Sequence, residues 1–345
     1  MMGRMTHPLA TAHAETLQRA LTAITERAYW SHYPESPSPR VYGETAAADG
    51  QAAYEALLGA EFAVEGQPTD GRWVATERSP FGVPLDVRYP HAEADALIAA
   101  AGAGMVAWRD AGPRTRVGVC LEILARIHRH IFTMANAVQF TTGQAFVMAF
   151  QAGGAHALDR ALEAVAYAYA EMTRHPEAAT WEKPAGKGAT LSMRKTFRVV
   201  PRGVALVVGC RTFPTWNSYP GLFASLATGN PVLVKPHPSA VLPLALTVRY
   251  AREVLAEAGF DRNLVQLAAE EPGEKLASTL ATRPEVRIVD FTGSTAYGDW
   301  LEANATQAAV YTEKAGLNTV IIDSTDDFAG MCRNLAFSLT LYSGQ

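Results

Sequence analysis

Apolar positions recur along this chain at two different spacings, and the change from one to the other divides it in half. In the first part Ala14–Tyr29, Ala92–Trp108 and Pro113–Thr141 carry apolar residues every third or fourth position, as do Leu158, Leu162, Val165, Tyr169 and Met172. This spacing predicts long helices with one buried face. Between the first two helices the proline-rich SHYPESPSPR is predicted to be irregular, and Arg72–Tyr89 alternates around Pro-Phe-Gly as a β-hairpin does. The stretch from His175 to Lys195, rich in small residues, proline and charge, is predicted to cross to the second half. From Arg198 onward, short β-type runs replace the helical spacing: Val204–Val208, Val232–Val234, Leu264–Leu267, Arg287–Phe291 and Thr319–Ile322. Helical patterns separate them, including Pro238–Ala258, which Gly259 is placed to stop. The expected fold is therefore α/β: a mainly helical amino-terminal region over residues 1–195, then a Rossmann-like domain with a mainly parallel sheet over residues 196–345.

One junction in the second half is chemically suggestive. In Val289–Gly298, VDFTGSTAYG, an apolar run empties into Gly293, Ser294 and Thr295, a turn permissive in φ with hydroxyls suited to capping a helix that starts near Ala296. The first amides of a helix lack partners within it and carry the positive end of its dipole, so an anion such as pyrophosphate is stabilised there. Two glycines are not a G-x-G-x-x-G fingerprint, and an ordinary strand-to-helix turn has the same look. Ligands of parallel sheets sit at the carboxyl ends of the strands. Those ends are Cys210–Pro214, Lys235–Pro238, Gly293–Thr295 and, just before the fifth run, Glu313.

Composition narrows the partners. Thirty basic against thirty-four acidic residues leave a formal charge of -4, which provides no footprint for DNA or RNA. With 48% hydrophobic residues in 345, the chain can bury the core of one large or two ordinary domains. Cys120, Cys210 and Cys332 are odd in number and far apart, which argues for a reducing compartment. No apolar run suits a signal peptide or a membrane span, so a soluble cytoplasmic protein is expected. His128 and His130 lie two apart on a predicted helix and so do not share a face, which speaks against a metal site.

Five segments in fixed order, GVALVVGCRTFP, LATGNPVLVKP, FTGSTAYG, YTEKAGLN and SGQ, resemble the aldehyde dehydrogenase superfamily over roughly the second half of the chain. The TEKAGLN form and CRTFPTWNSYPG are similar to its PaaN-type branch, associated with ring opening in phenylacetic acid degradation. The resemblance implies oxidation of an aldehyde to an acid with a nicotinamide cofactor. It also implies as substrate a ring-opened aldehyde carried as its coenzyme A thioester, and a homo-oligomer. Glu313 matches the general base, Lys235 the lysine on the adenosine ribose, and Gly293 and Ser294 the pyrophosphate contacts. Phe213 and Pro238 fall in the cofactor-binding segments. Thr212 stands where the family usually has an asparagine that holds the oxyanion, and it offers one shorter donor. Loss of such a donor typically costs about 3 kcal/mol of barrier. Asn217, one turn later, cannot be assigned to that role from sequence.

The family's nucleophilic cysteine follows the Gly-Gln pair after one further residue, and Gln345 is the last residue here. The chain is accordingly expected to be a partial product without its nucleophile, inactive by itself. Cys120 and Cys332 are expected to be buried in helices and inert. Cys210 matches a position that lines the site rather than attacks. A non-catalytic nucleotide-binding module is the alternative. For the cofactor, NADP is expected in preference to NAD, because relatives that prefer NAD often carry a glutamate where Pro238 stands. A carboxylate there repels a 2′-phosphate by roughly 4 kcal/mol for each pair of charges about 4 Å apart. Lys235, and His237 when protonated, are expected to add attraction.

Overall fold

The computed structural model describes residues 7–75, 77–316 and 319–340. Among the described residues the predicted hairpin in the first half forms only at its ends, where β1 (Trp73–Val74) pairs antiparallel with β2 (Tyr89–Pro90). Between them Gly82, at φ 74°, closes a turn by donating its N–H to the Ser79 carbonyl at 3.0 Å. A full hairpin lies elsewhere, in the segment predicted to cross over: β3 (Ala178–Ala185) and β4 (Ala189–Thr196) pair from Ala178 with Thr196 to Ala185 with Ala189. Lys187 and Gly188 make its turn at positive φ. Both of its faces are mostly exposed, so no apolar stripe marks it in the sequence.

The main sheet is parallel: β5 (Val204–Val208), β6 (Val232–Lys235), β7 (Val265–Leu267), β8 (Val286–Gly293) and β9 (Ala309–Lys314), in the order β7-β6-β5-β8-β9. The chain winds outward from β5 in one direction and returns to start β8 on its other side. The crevice between β5 and β8 is thus a topological switch point, the place where such sheets bind ligands. Four strands match the predicted runs. The fifth does not: Thr319–Ile322 forms no strand, and Val320 and Ile321 are exposed. Its place on β8 is taken by Ala309–Lys314, in register from Ile288 with Ala309 to Gly293 with Lys314. Strand identity at a sheet edge is decided by which backbone finds a partner, and the more apolar run loses here.

Two helix boundaries also differ. The helix predicted from Pro238 begins at Leu242, after a turn in which the Ala240 N–H bonds the His237 carbonyl at 2.9 Å. The long pattern Pro113–Thr141 is two helices, Pro113–Arg129 and Ile131–Thr142, parted at His130. The imidazole of His130 stacks on Tyr250, and that of His128 meets the Tyr42 hydroxyl at 3.1 Å. Among the described residues no helix is long and apolar enough to cross a membrane.

Helices cover both faces of the sheet, and the amino-terminal half supplies part of the cover. Val204, Leu206 and Val208 pack in one cluster with Leu97 and Ile98 of the helix Ala94–Ala111, while Ala205 and Val207 pack in another with Val117, Leu121 and Leu124. Each fully buried aliphatic side chain contributes roughly 1.5–3 kcal/mol. Polar groups pin the same junction. Trp108 donates its indole N–H to the Leu226 carbonyl at 2.9 Å, and the buried Arg116 donates to the carbonyls of Ala227 and Arg109, each at 2.8 Å. Glu77 accepts from the N–H groups of Val241 and Leu242 and, at 2.5 Å, from the Tyr89 hydroxyl. It thereby fixes the turn that follows β6.

Candidate functional site

A cleft of about 1090 Å³ opens at the carboxyl ends of the parallel strands. It brings together Thr212, Phe213, Lys235, Gly293, Ser294 and Glu313. Pro238 stands apart in the turn before Leu242, and it is His237 that lines the cleft.

At the end of β8, Ser294 caps the helix Thr295–Asn304, its Oγ accepting from the Tyr297 N–H at 3.4 Å. The cap is the hydroxyl that the sequence offered. The role of Gly293 differs from the predicted one: it lies on the strand and not at a positive φ, and a Cβ there would come within 2.6 Å of the Phe291 ring. Close packing, not turn geometry, requires glycine. A helix start so placed presents N–H groups to an anion in the cleft.

After β5 the loop turns into the helix Pro214–Ala227 with Phe213 as its cap residue. The Phe213 N–H donates to Cys210 Sγ at 3.4 Å, and the Thr212 hydroxyl lies 3.6 Å from the same sulfur. The buried Gln144 holds this loop by donating to the Thr212 carbonyl at 2.6 Å. Cys210 is thus a lining group with its sulfur engaged. Asn217 also lines the cleft, so a second donor stands beside Thr212, which the sequence did not place. Of the other cysteines, Cys120 is buried and burial pushes its thiol up to about 12. Cys332, by contrast, is exposed on the helix Phe328–Thr340. The predicted burial fails because that helix has no buried residue in this structure.

Glu313 lies on β9 itself rather than before a later strand, opposite Thr292, whose hydroxyl donates to its carboxylate at 3.4 Å. It is exposed on the cleft wall. Behind it sits Asp290, a carboxylate the sequence did not single out. Burial first, and the neighbouring Glu313 second, push Asp290 up to about 6, against the pull of Arg160. A Cβ at Gly221 would collide with this carboxylate, so the glycine makes its room.

Because Asp290 titrates higher in the folded chain than its ordinary 3.8, its contribution to stability is fully present below that value. It is lost as the pH rises through about 6. Asp290→Asn is therefore expected to stabilise the fold by about 3 kcal/mol at pH 8, with little gain near pH 4. Urea midpoints of both proteins across this range provide the check, and an equal gap at every pH would refute it.

At the end of β6 Lys235 is buried and ion-paired with Glu270, which follows β7. Burial lowers the lysine pKa, opposed by Glu270 and then Glu274. His237 is lowered as well, by burial and then by Lys235 and Arg211, and its Nδ1 accepts from the Ser239 N–H at 3.1 Å. A protonated His237 is thus disfavoured. The premise for preferring NADP, that Pro238 brings no carboxylate to this corner, holds for Pro238 itself, but Glu270 brings one to Lys235 from the neighbouring strand.

The cleft is large enough for a dinucleotide. It offers a capped helix start for phosphates and a lysine-carboxylate pair suited to ribose hydroxyls, so the residues present fit a nicotinamide cofactor.

Known proteins agree with this geometry. The model of the aldehyde dehydrogenase family matches residues 87–345. The crystal structure of an NAD-dependent aldehyde dehydrogenase from Burkholderia multivorans is 60% identical and superposes with a TM-score of 0.96, covering 99% of this chain and 61% of that one. The 1-pyrroline-5-carboxylate dehydrogenase of Bacillus subtilis (strain 168) is 29% identical over 151 residues, 41% of this chain and 28% of that protein. A Thermus 1-pyrroline-5-carboxylate dehydrogenase with bound NAD shares the fold at 19% identity, with a TM-score of 0.68 over 92% of this chain and 61% of that one. The chain spans less than two thirds of each of these relatives. With the parallel sheet, the cleft at its switch point and a family match over most of its length, the chain belongs to the aldehyde dehydrogenase family.

Proposed function

We propose that this chain is the cofactor-binding part of an enzyme that oxidises an aldehyde to a carboxylic acid with a nicotinamide dinucleotide. Residues 1–195 form its helical support and residues 196–345 the cofactor domain. The observation that carries this reading is the meeting of Lys235, Ser294 and Glu313, from the ends of three different strands, in one cleft.

In this reading Lys235 binds the adenosine ribose, while Gly293 and Ser294 hold the pyrophosphate. Phe213 bounds the cofactor beside the helix Pro214–Ala227. A cysteine thiolate adds to the aldehyde carbon, and Thr212 and Asn217 donate hydrogen bonds to the resulting oxyanion. A nicotinamide dinucleotide held by Lys235, Gly293 and Ser294 would supply the hydride acceptor that turns this adduct into a thioester. Glu313 then takes a proton from water, the hydroxide attacks the thioester carbon, and the thiolate departs as the acid forms.

The finer parts of the proposal are the coenzyme A thioester of a ring-opened semialdehyde as substrate, a homo-oligomer as the working form, and action in the cytoplasm. The PaaN-like motifs support the substrate class. The NAD dependence of the Burkholderia protein supports the nicotinamide cofactor.

Titrating NAD and NADP calorimetrically into the chain tests the core of the reading. Binding by the unaltered chain, weakened about tenfold or more in Lys235→Ala, is expected. No binding of either dinucleotide, or full binding by the variant, would exclude this cleft.

A further inference from the structure

We infer that Glu270 selects NAD over NADP in this protein, by holding its carboxylate where a 2′-phosphate would need Lys235 to itself. The inference rests on the reading of the cleft as a dinucleotide site and adds a residue that no motif marks.

Glu270 and Lys235 stand at the carboxyl ends of adjacent parallel strands, β7 and β6, and both line the cleft. Their side chains are only 9% and 5% exposed, and they are ion-paired through Glu270 Oε1. The other oxygen, Oε2, accepts from the Ala277 N–H at 3.3 Å, so the carboxylate is held on two sides. Glu274, a second acid of the same wall, is itself fixed: it accepts from the Glu271 N–H at 3.0 Å and meets His91 Nε2 at 3.0 Å, with Arg72 3.7 Å away.

This corner therefore presents a neutralised lysine and hydrogen-bond acceptors, not an unopposed positive charge. The adenosine ribose of NAD offers two hydroxyls that can donate to Glu270 while an oxygen accepts from Lys235. NADP brings a phosphate monoester with up to about two negative charges. That group faces Glu270 in a poorly solvated pocket, where like charges are weakly screened. Arg211 and Lys275 also line the cleft but are exposed, and charges in solvent act weakly. The discriminating carboxylate thus comes from the strand beyond the lysine, not from Pro238 three residues after it.

The test compares NAD and NADP affinities of the 345-residue chain at fixed ionic strength, with and without Glu270→Gln. NAD is expected to bind the unaltered chain about tenfold or more tightly than NADP, about 1.4 kcal/mol or more. Glu270→Gln is expected to narrow that ratio about tenfold, mainly by improving NADP. Because Glu270→Gln leaves a buried lysine without its partner and so risks the fold, a second measurement needs only the unaltered chain: 5′-AMP is expected to bind more tightly than adenosine 2′,5′-bisphosphate. Equal or tighter binding of the bisphosphate, or a ratio unmoved in the variant, overturns the role of Glu270 and leaves the dinucleotide site standing. Binding of no nucleotide at all overturns both.

Discussion

In a protein that carries the nucleophilic cysteine, Glu313→Gln is expected to slow steady-state turnover about a hundredfold or more while the first turnover still reduces cofactor. Addition of the thiolate and loss of hydride need no base at Glu313, but the water that cleaves the thioester does. Glutamine keeps the shape and the bond to Thr292, whose hydroxyl now donates to Oε1 or accepts from the amide, yet it takes up no proton. The expected trace is a burst of reduced cofactor close to the enzyme concentration, followed by a slow phase. An unchanged steady state would transfer the role to another group, Asp290 behind it being the first to examine.

Glu77→Ala is expected to destabilise the fold by about 3–5 kcal/mol. Truncation removes the acceptor for two buried N–H groups, those of Val241 and Leu242, and for the Tyr89 hydroxyl, and leaves a cavity. Glu77→Gln keeps one acceptor oxygen and is expected to cost less than half as much. Urea unfolding of the two variants checks the order, and a loss below about 1 kcal/mol in the alanine variant would mean that water replaces the carboxylate. Since Glu77 fixes the turn after β6, the alanine variant is also expected to bind dinucleotide more weakly than its fraction folded accounts for.

Glu77 also shows where reading the chain in one dimension stops. It lies in the segment whose alternation predicts a hairpin, yet two of its three partners are 164 and 165 residues away. Glu270 is of the same kind. It follows a correctly read strand, and nothing local distinguishes it from a solvated acid until β6 and β7 are laid side by side. The NADP preference drawn from Pro238 treated one position as the only source of a carboxylate, and the fold provides another.

What the sequence determined by itself is whatever depends on neighbours within about one helical turn or one strand. Four of the five sheet strands, the main helices, the Ser294 cap and the strand-end place of Lys235 belong to this class, because periodicity, capping and turn chemistry are local. What only the tertiary structure decided is whatever depends on pairing across the chain. Ala309–Lys314 becomes the edge strand and Thr319–Ile322 does not, because β8 pairs with the first of them. The hairpin β3–β4 forms without an apolar stripe, because its pairing satisfies backbone groups on two mostly exposed faces. The charges around the cofactor corner are set in the same way, by burial and by partners on other strands. Solvation and Coulomb energies depend on distance in space, and only the folded chain fixes that distance.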